Sequence, residues 1–96
     1  MANFRLTPAA KADIKDIARY SQKKWGRIKR NQYLVALDQR FNWLSNNPDV
    51  GKSRNEIKDG YLSFPEGRHV IFYRQRNTNI EILGILHQDM DFKQHF

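Results

Sequence analysis

The chain has 96 residues, no cysteine and a formal charge of +7, from 17 Lys/Arg against 10 Asp/Glu. That length fits one domain spanning 1–96, and 40% hydrophobic with 28% charged residues is a globular balance that excludes wholesale disorder. The missing cysteines exclude a disulfide scaffold, a thiolate zinc site and a cysteine nucleophile.

Asn3-Phe4-Arg5-Leu6 alternates polar and apolar residues as a short strand does. Thr7-Pro8 then reads as a helix start, with Thr7 as N-cap and Pro8 at the first helical position. Ala10, Ile14, Ile17, Ser21 and Trp25 follow on one helical face, and Gly26 ends the helix. A second helix carries Leu34, Leu37, Phe41 and Leu44 as its apolar stripe, widened by Tyr33, Ala36 and Trp43. It stops near Asn46-Asn47, because Pro48 disfavours helical geometry in the residue before it. The short link makes the two an antiparallel hairpin, about 27–30 Å long.

An irregular polar stretch runs from Pro48 to Gly60. Strands are then expected over Tyr61–Phe64, Arg68–Arg74 and Ile80–His87, with turns at Glu66-Gly67 and Asn77-Thr78-Asn79. The tail from Gln88 to Phe96 is polar, with room for one helical turn. The fold class is α+β, in the order β-α-α-β-β-β, with a helix hairpin on a small, mainly antiparallel sheet. Both late strands are apolar on both faces, so two readings stand. Either the outer face is a binding surface, or the segment 48–60 folds over it.

Charge is placed unevenly. Residues 1–46 hold ten Lys/Arg and three acids, whereas residues 47–96 hold seven of each. No acid lies between Asp16 and Asp38, a window containing Arg19, Lys23, Lys24, Arg27, Lys29 and Arg30. Such a cluster attracts anions, whether nucleic acid or an acidic protein, or it is a solvated helix end. Trp25 beside it either stacks on a partner or closes the hairpin, and closure is the expectation. Tyr20, Tyr33, Phe41 and Trp43, at helical spacing, are expected in the hairpin core.

A three-residue loop at Asn77–Asn79 would set Arg76 opposite Ile80, Tyr73 opposite Leu83, Ile71 opposite Ile85 and His69 opposite His87. Two imidazoles beside Arg68 form the set that ribonuclease chemistry requires: a base for the 2′-OH, an acid for the leaving oxygen, and a guanidinium for the phosphate. The bland alternative is a pair of histidines capping a sheet edge. No metal or cofactor is expected: His69, His87 and His95 lack ligand spacing, and phosphate-loop, dinucleotide and nucleophile-elbow motifs are absent. No apolar run approaches the ~20 residues of a membrane span. Met1-Ala2-Asn3-Phe4-Arg5 is not followed by a signal-peptide core, so a cytoplasmic location is expected.

Several of these residues together resemble a known family. Leu6-Thr7-Pro8-Ala9-Ala10-Lys11-Ala12-Asp13-Ile14, Trp25-Gly26, Asn47-Pro48, Gly51, Gly67 through Arg74, and Ile85 through Asp91 are similar to the ParE toxins of the RelE/ParE superfamily, the toxin halves of bacterial type II toxin–antitoxin modules. The resemblance implies the same β-α-α-β-β-β fold. It implies a poison that traps DNA gyrase in a cleaved state and blocks replication, without catalysis of its own. It further implies a ParD-type antitoxin wrapped around the toxin in a hetero-oligomer, and no direct sequence-specific nucleic-acid binding.

The RelE-like branch of the superfamily implies the alternative, ribosome-dependent cleavage of messenger RNA, here by Arg68, His69 and His87. The HVIFYR and LHQDMD stretches look like ParE. The excess charge on the hairpin, read as remote from the histidine end of the sheet, also favours the gyrase branch. Gly84 departs from the pattern, standing where ParE sequences often carry an arginine. Partner contacts are expected from Arg68, His69, Ile71, Tyr73, His87 and Met90. The basic cluster is expected to attract an acidic antitoxin or DNA-loaded gyrase.

Overall fold

Thr7 starts the first helix as its sequence predicts. Its backbone is extended (φ −69°, ψ 161°), its hydroxyl accepts the Ala10 N–H at 3.1 Å, and Pro8 fills the first helical position. The computed structural model describes residues 3–96; Met1 and Ala2, part of the stretch read for a signal peptide, lie outside them.

The elements are β1 (Phe4–Leu6), α1 (Pro8–Trp25), α2 (Arg27–Asn46), β2 (Lys52–Ser53), β3 (Leu62–Glu66), β4 (His69–Arg76), β5 (Asn79–His87) and α3 (Phe92–His95). Gly26 alone joins the long helices. Its N–H bonds the Gln22 carbonyl at 2.9 Å and its own carbonyl accepts Arg30 N–H at 3.1 Å, so one residue caps both. Its φ of 91° is a conformation that glycine adopts without strain.

The strands form one sheet in the order β1-β5-β4-β3-β2. β1 pairs parallel to β5, and the other neighbours are antiparallel. The two-residue β2 was not legible in the sequence. Beyond the β1 pairing, α1 covers the β5 edge: Thr7 donates its hydroxyl to the Leu83 carbonyl and Asp13 accepts the Ile85 N–H at 3.0 Å. These contacts satisfy backbone groups that a bare edge would leave to a foreign strand.

The loop between β4 and β5 differs from expectation. It has two residues, Asn77 and Thr78, with Asn77 in the left-handed region at φ 56°. Arg76 therefore opposes Asn79, and Tyr73 opposes Ile82 rather than Leu83. A bulge at Leu83 then restores the expected pairs, Ile71 with Ile85 and His69 with His87.

The bulge also switches which β5 residues point inward. Ile80 and Ile82 face the helices before it, and Ile85 after it. With Ile71 and Tyr73 they pack against Ala10, Ile17, Leu37, Phe41 and Leu44. Burying each large apolar side chain of this core stabilises the fold by roughly 1.5–3 kcal/mol.

Tyr73 fixes the 48–51 corner to this core. Its hydroxyl donates to the Pro48 carbonyl at 3.0 Å and accepts the Gly51 N–H at 2.9 Å. Burial pushes its phenol pKa up.

The outer face is closed. Phe72, Leu83 and Leu86 are covered by Ile57 and Tyr61 and by Phe92 of the tail, with the Phe96 ring 5.1 Å from Phe72. The reading of this face as an open binding surface is therefore corrected: the 48–60 segment lies over it, and α3 completes the cover. The helical aromatics also divide. Phe41 is in the core, Tyr33 is half-buried, Trp43 leans on Phe64 at 5.2 Å, and Tyr20 and Trp25 are exposed.

Candidate functional site

The tight turn at Gly67-Arg68 builds one wall of the site. Gly67 has φ 58°, and a Cβ there would lie 2.8 Å from the Tyr33 ring, so only glycine lets the turn rest on α2. The Tyr33 hydroxyl lies 3.0 Å from the Glu66 carbonyl and 2.6 Å from His69 Nδ1. One phenolic proton satisfies both contacts only if Tyr33 donates to the carbonyl and His69 Nδ1–H donates to Tyr33. His69 Nε2 is then a bare acceptor. Burial, and next the Glu66 carboxylate, push the Tyr33 pKa up to about 12, so this phenol keeps its proton. The carboxylate itself is bound by Arg40 Nε at 2.7 Å.

His87 sits across the ladder with its ring perpendicular to His69 and the centroids 5.5 Å apart. Its Nδ1 lies 3.2 Å from the Asp89 N and 3.5 Å from the Asp89 carboxylate; the tautomer in which Nδ1 accepts the Asp89 N–H carries its proton on Nε2. Burial first, and the neighbouring His87 second, hold the His69 pKa below the usual histidine value. His69 is therefore neutral at pH 7. The pair presents one bare nitrogen and one N–H, which suits a base and an acid, or two complementary hydrogen-bonding groups.

A cleft of about 390 Å³ opens beside them. α1 contributes Tyr20 and Trp25, α2 contributes Lys29, Gln32 and Tyr33, and the sheet end contributes Arg68, His69 and His87. Among the described residues that line it, none is acidic. Trp25 is 43% exposed, with Tyr20 edge-on at 6.0 Å, Lys24 Nζ 5.2 Å from its ring centre and the Arg68 guanidinium 5.9 Å away. The expectation that Trp25 closes the hairpin is corrected: the last turn of α1, from Gln22 to Trp25, is exposed, and Trp25 lines the cleft.

Of the expected site residues, Arg68, His69 and His87 come together, and the basic cluster supplies Lys29 to the same cleft. Arg19, Lys23 and Arg27 are exposed outside it, and Arg30 is tied to Asn31 and Gln22. Met90 is 48% exposed in the turn after β5, its N–H bonded to the His87 carbonyl. Ile71 and Tyr73 are at 0% exposure beneath the helices, so neither presents a surface to a partner.

The separation of the basic cluster from the histidine end is also corrected. Because β1 runs parallel to β5, α1 travels with β5 and delivers the hairpin junction to the end where His87 lies. The inference that charge placement favours the gyrase branch is thereby removed. Tyr20, Gln32 and Tyr33 are cleft residues that the sequence does not single out, whereas Trp25 is singled out as a residue that stacks on a partner or closes the hairpin.

A helix hairpin on one face of a five-stranded mixed sheet, with the hairpin junction and the β3–β4 turn framing a basic cleft, defines a RelE/ParE-type toxin domain. The chain belongs to the ParE toxin family: the family model described as the ParE toxin of the type II toxin–antitoxin system parDE matches residues 4–92. It is 34% identical over 95 residues to Toxin ParE1 of Caulobacter vibrioides, covering 99% of this chain and 98% of that protein. It is 33% identical over 91 residues to Toxin ParE1 of Mycobacterium tuberculosis, covering 94% and 93%. Among solved structures, the chromosomal ParDE TA system from P. aeruginosa shares the fold with a TM-score of 0.75 at 19% identity, over 91% of this chain and 96% of that one. The YoeB-YefM complex from Staphylococcus aureus shares it with a TM-score of 0.62 at 17% identity, over 91% and 97%.

Among the described residues no helix is long and apolar enough to cross a membrane, and no three His, Cys, Asp or Glu side chains are grouped to hold a metal ion.

Proposed function

We propose that the chain poisons DNA gyrase, stabilising its cleaved complex and blocking replication, and that a ParD-type antitoxin neutralises it in a toxin–antitoxin hetero-oligomer in the cytoplasm. The observation that carries this reading is the family match, which runs from residue 4 to residue 92. The exposed basic residues of the hairpin junction support an acidic partner, whose approach they would accelerate. The test is a gyrase supercoiling and cleavage assay with the purified protein. Accumulation of linear, gyrase-bound DNA is the expected result. Unimpaired supercoiling at a large molar excess would overturn it.

One observation favours a second reading, ribosome-dependent RNA cleavage. Arg68, His69 and His87 line one cleft, and the two imidazoles expose opposite hydrogen-bonding characters. His69 Nε2 would take the 2′-OH proton and His87 Nε2–H would protonate the departing 5′-oxygen, with Arg68 on the phosphate. Loss of growth arrest in His87→Ala, together with cut messages in wild-type cells, would support this reading over the first.

A further inference from the structure

We propose that the hairpin-end cleft binds one unpaired nucleotide of a single strand, its base on Trp25 and its phosphate between Arg68 and Lys29. This goes beyond the gyrase reading and does not depend on it, and it requires no sequence specificity.

Three observations converge. The cleft, at about 390 Å³, falls in the range of small-ligand sites, roughly 300–1,000 Å³. Its aromatic wall is exposed: Trp25 is touched edge-on by Tyr20, and its ring carries the flexible side chains of Lys24 and Arg68, 5.2 and 5.9 Å from the ring centre, which a flat ligand can displace. Its charge is of one sign, with Lys29 and Arg68 among the lining residues and no carboxylate. An aliphatic acidic side chain would satisfy the cations and leave the indole unused. A nucleotide satisfies both, because every base offers a π-face and every linkage a phosphate. The bare Nε2 of His69 and the Nε2–H of His87 add an acceptor and a donor for sugar or base edges.

The Arg68 guanidinium stands 5.9 Å from the Trp25 ring centre, and both side chains are exposed. A base can therefore enter against the indole with a small movement of a flexible arginine.

The test uses tryptophan fluorescence and needs no gyrase. The chain has two tryptophans, so Trp43→Phe leaves Trp25 as the single reporter. Hexathymidylate and hexauridylate are titrated separately, to tell a DNA source from an RNA source, beside a hexaglutamate peptide. Either oligonucleotide should quench Trp25. In an assay with labelled oligonucleotide, Trp25→Ala should weaken binding about tenfold, the scale of one stacked base. Arg68→Gln should lower the salt dependence by about 0.7 in log–log slope, the loss of one phosphate contact. Lys23→Gln, outside the cleft, should change little. Circular dichroism of each variant confirms folding.

Absence of binding at millimolar oligonucleotide in low salt overturns the proposal. So does binding that ignores Trp25→Ala and Arg68→Gln while falling with Lys23→Gln, which marks diffuse attraction to the exposed cluster. Equal quenching by hexaglutamate assigns the cleft to an acidic polypeptide instead, and recovery of shortened RNA assigns it to catalysis.

Discussion

His69 and His87 oppose each other across β4 and β5 because two irregularities cancel. The two-residue turn at Asn77-Thr78 shifts the ladder by one, and the extra residue at Leu83 shifts it back. Between them the register is displaced, and beyond Leu83 it is the one a three-residue loop would give. The bulge lies within the β5 segment held by Thr7 at Leu83 and by Asp13 at Ile85, so it also sets which residues that segment turns toward α1.

Deleting Leu83 should therefore leave a regular ladder in which His69 still faces His87. Gly84 would continue to oppose Phe72 and Ile85 to oppose Ile71. The cost is one buried leucine, about 2–5 kcal/mol, together with the Thr7 hydroxyl bond to its carbonyl. The check is a nuclear Overhauser contact between the two histidine α-protons, combined with urea denaturation. A register in which His69 faces Leu86 would show that Leu83 does not set the pairing.

Gly51 should be among the least replaceable residues outside the long elements. A Cβ there would sit 2.4 Å from the Tyr73 hydroxyl and 2.9 Å from its ring carbons. The tyrosine is held by the Pro48 carbonyl and the core, so it cannot retreat. Gly51→Ala should cost about 1–3 kcal/mol by overpacking. Tyr73→Phe leaves two backbone groups unpaired and should cost about 1–3 kcal/mol by itself. The double variant should lose less than the sum, because the missing hydroxyl relieves the clash. Strict additivity in chemical denaturation would show that the two do not meet.

The parts of this fold that were legible in the sequence are those in which one residue type has one physical role. Thr7-Pro8 cannot be read other than as a helix start, and Leu37, Phe41 and Leu44 share a face at any helical twist. The unread parts lack such a pattern. Lys52-Ser53 is a two-residue strand with both side chains exposed, so no alternation marks it. Ile57, Phe92 and Phe96 are isolated apolar residues in polar surroundings, and only the three-dimensional fold brings them to one face with Tyr61. The three-residue β1 carries no signature of parallel pairing, and that pairing decides where the basic junction lies. The site was half legible for the same reason. The expected pairing of the histidines holds only because the Leu83 bulge offsets a shorter loop than the one expected, and the helical wall that faces them follows from topology.

The tail should act as a cover. Phe92 and Phe96 stack on Phe72 with ring centres 5.5 and 5.1 Å away, and Arg54 lies 4.6 Å from the Phe92 ring centre. Truncation after Asp91 should uncover Phe72 and Leu86, lower stability by about 2 kcal/mol and raise binding of a hydrophobic dye. Unchanged dye binding and melting temperature would show that the tail does not cover that face in solution.

Gly84→Arg should act on the same cover. The Gly84 site leaves 3.1 Å from a Cβ to Asp13 Oδ2 and 3.3 Å to the Phe96 ring. Asp13 is fixed by its bond to Ile85 N–H, whereas Phe96 ends a four-residue helix and is 41% exposed, so the ring yields first. The expected result is faster hydrogen exchange over residues 92–96, with a stability loss of about 1–3 kcal/mol. An arginine accepted with the tail still protected would mean that its stem lies along Asp13 and leaves the Phe96 contact intact.

The His69 environment gives stability a pH dependence whose sign is fixed. Burial and the neighbouring His87 favour neutral His69 in the folded chain, so its folded pKa lies below the unfolded value of about 6.5. Above that value both states hold the neutral ring, and His69 contributes no slope. As pH falls from about 6.5 toward the folded pKa, the unfolded chain takes up the proton first, so stability falls. Below the folded pKa both states are protonated and the contribution levels off. His69→Gln removes this titration, so its stability should fall less steeply than wild type just below pH 6.5. The Tyr33 phenol, pushed up to about 12, stays protonated throughout this window and adds no slope of its own. Urea denaturation at half-unit steps from pH 5 to pH 7.5 makes the comparison, and a proton titration of the His69 ring resonances gives the folded pKa directly. Equal slopes for the two proteins, or a His69 resonance titrating at or above 6.5, would show that burial beside Tyr33 does not favour the neutral ring.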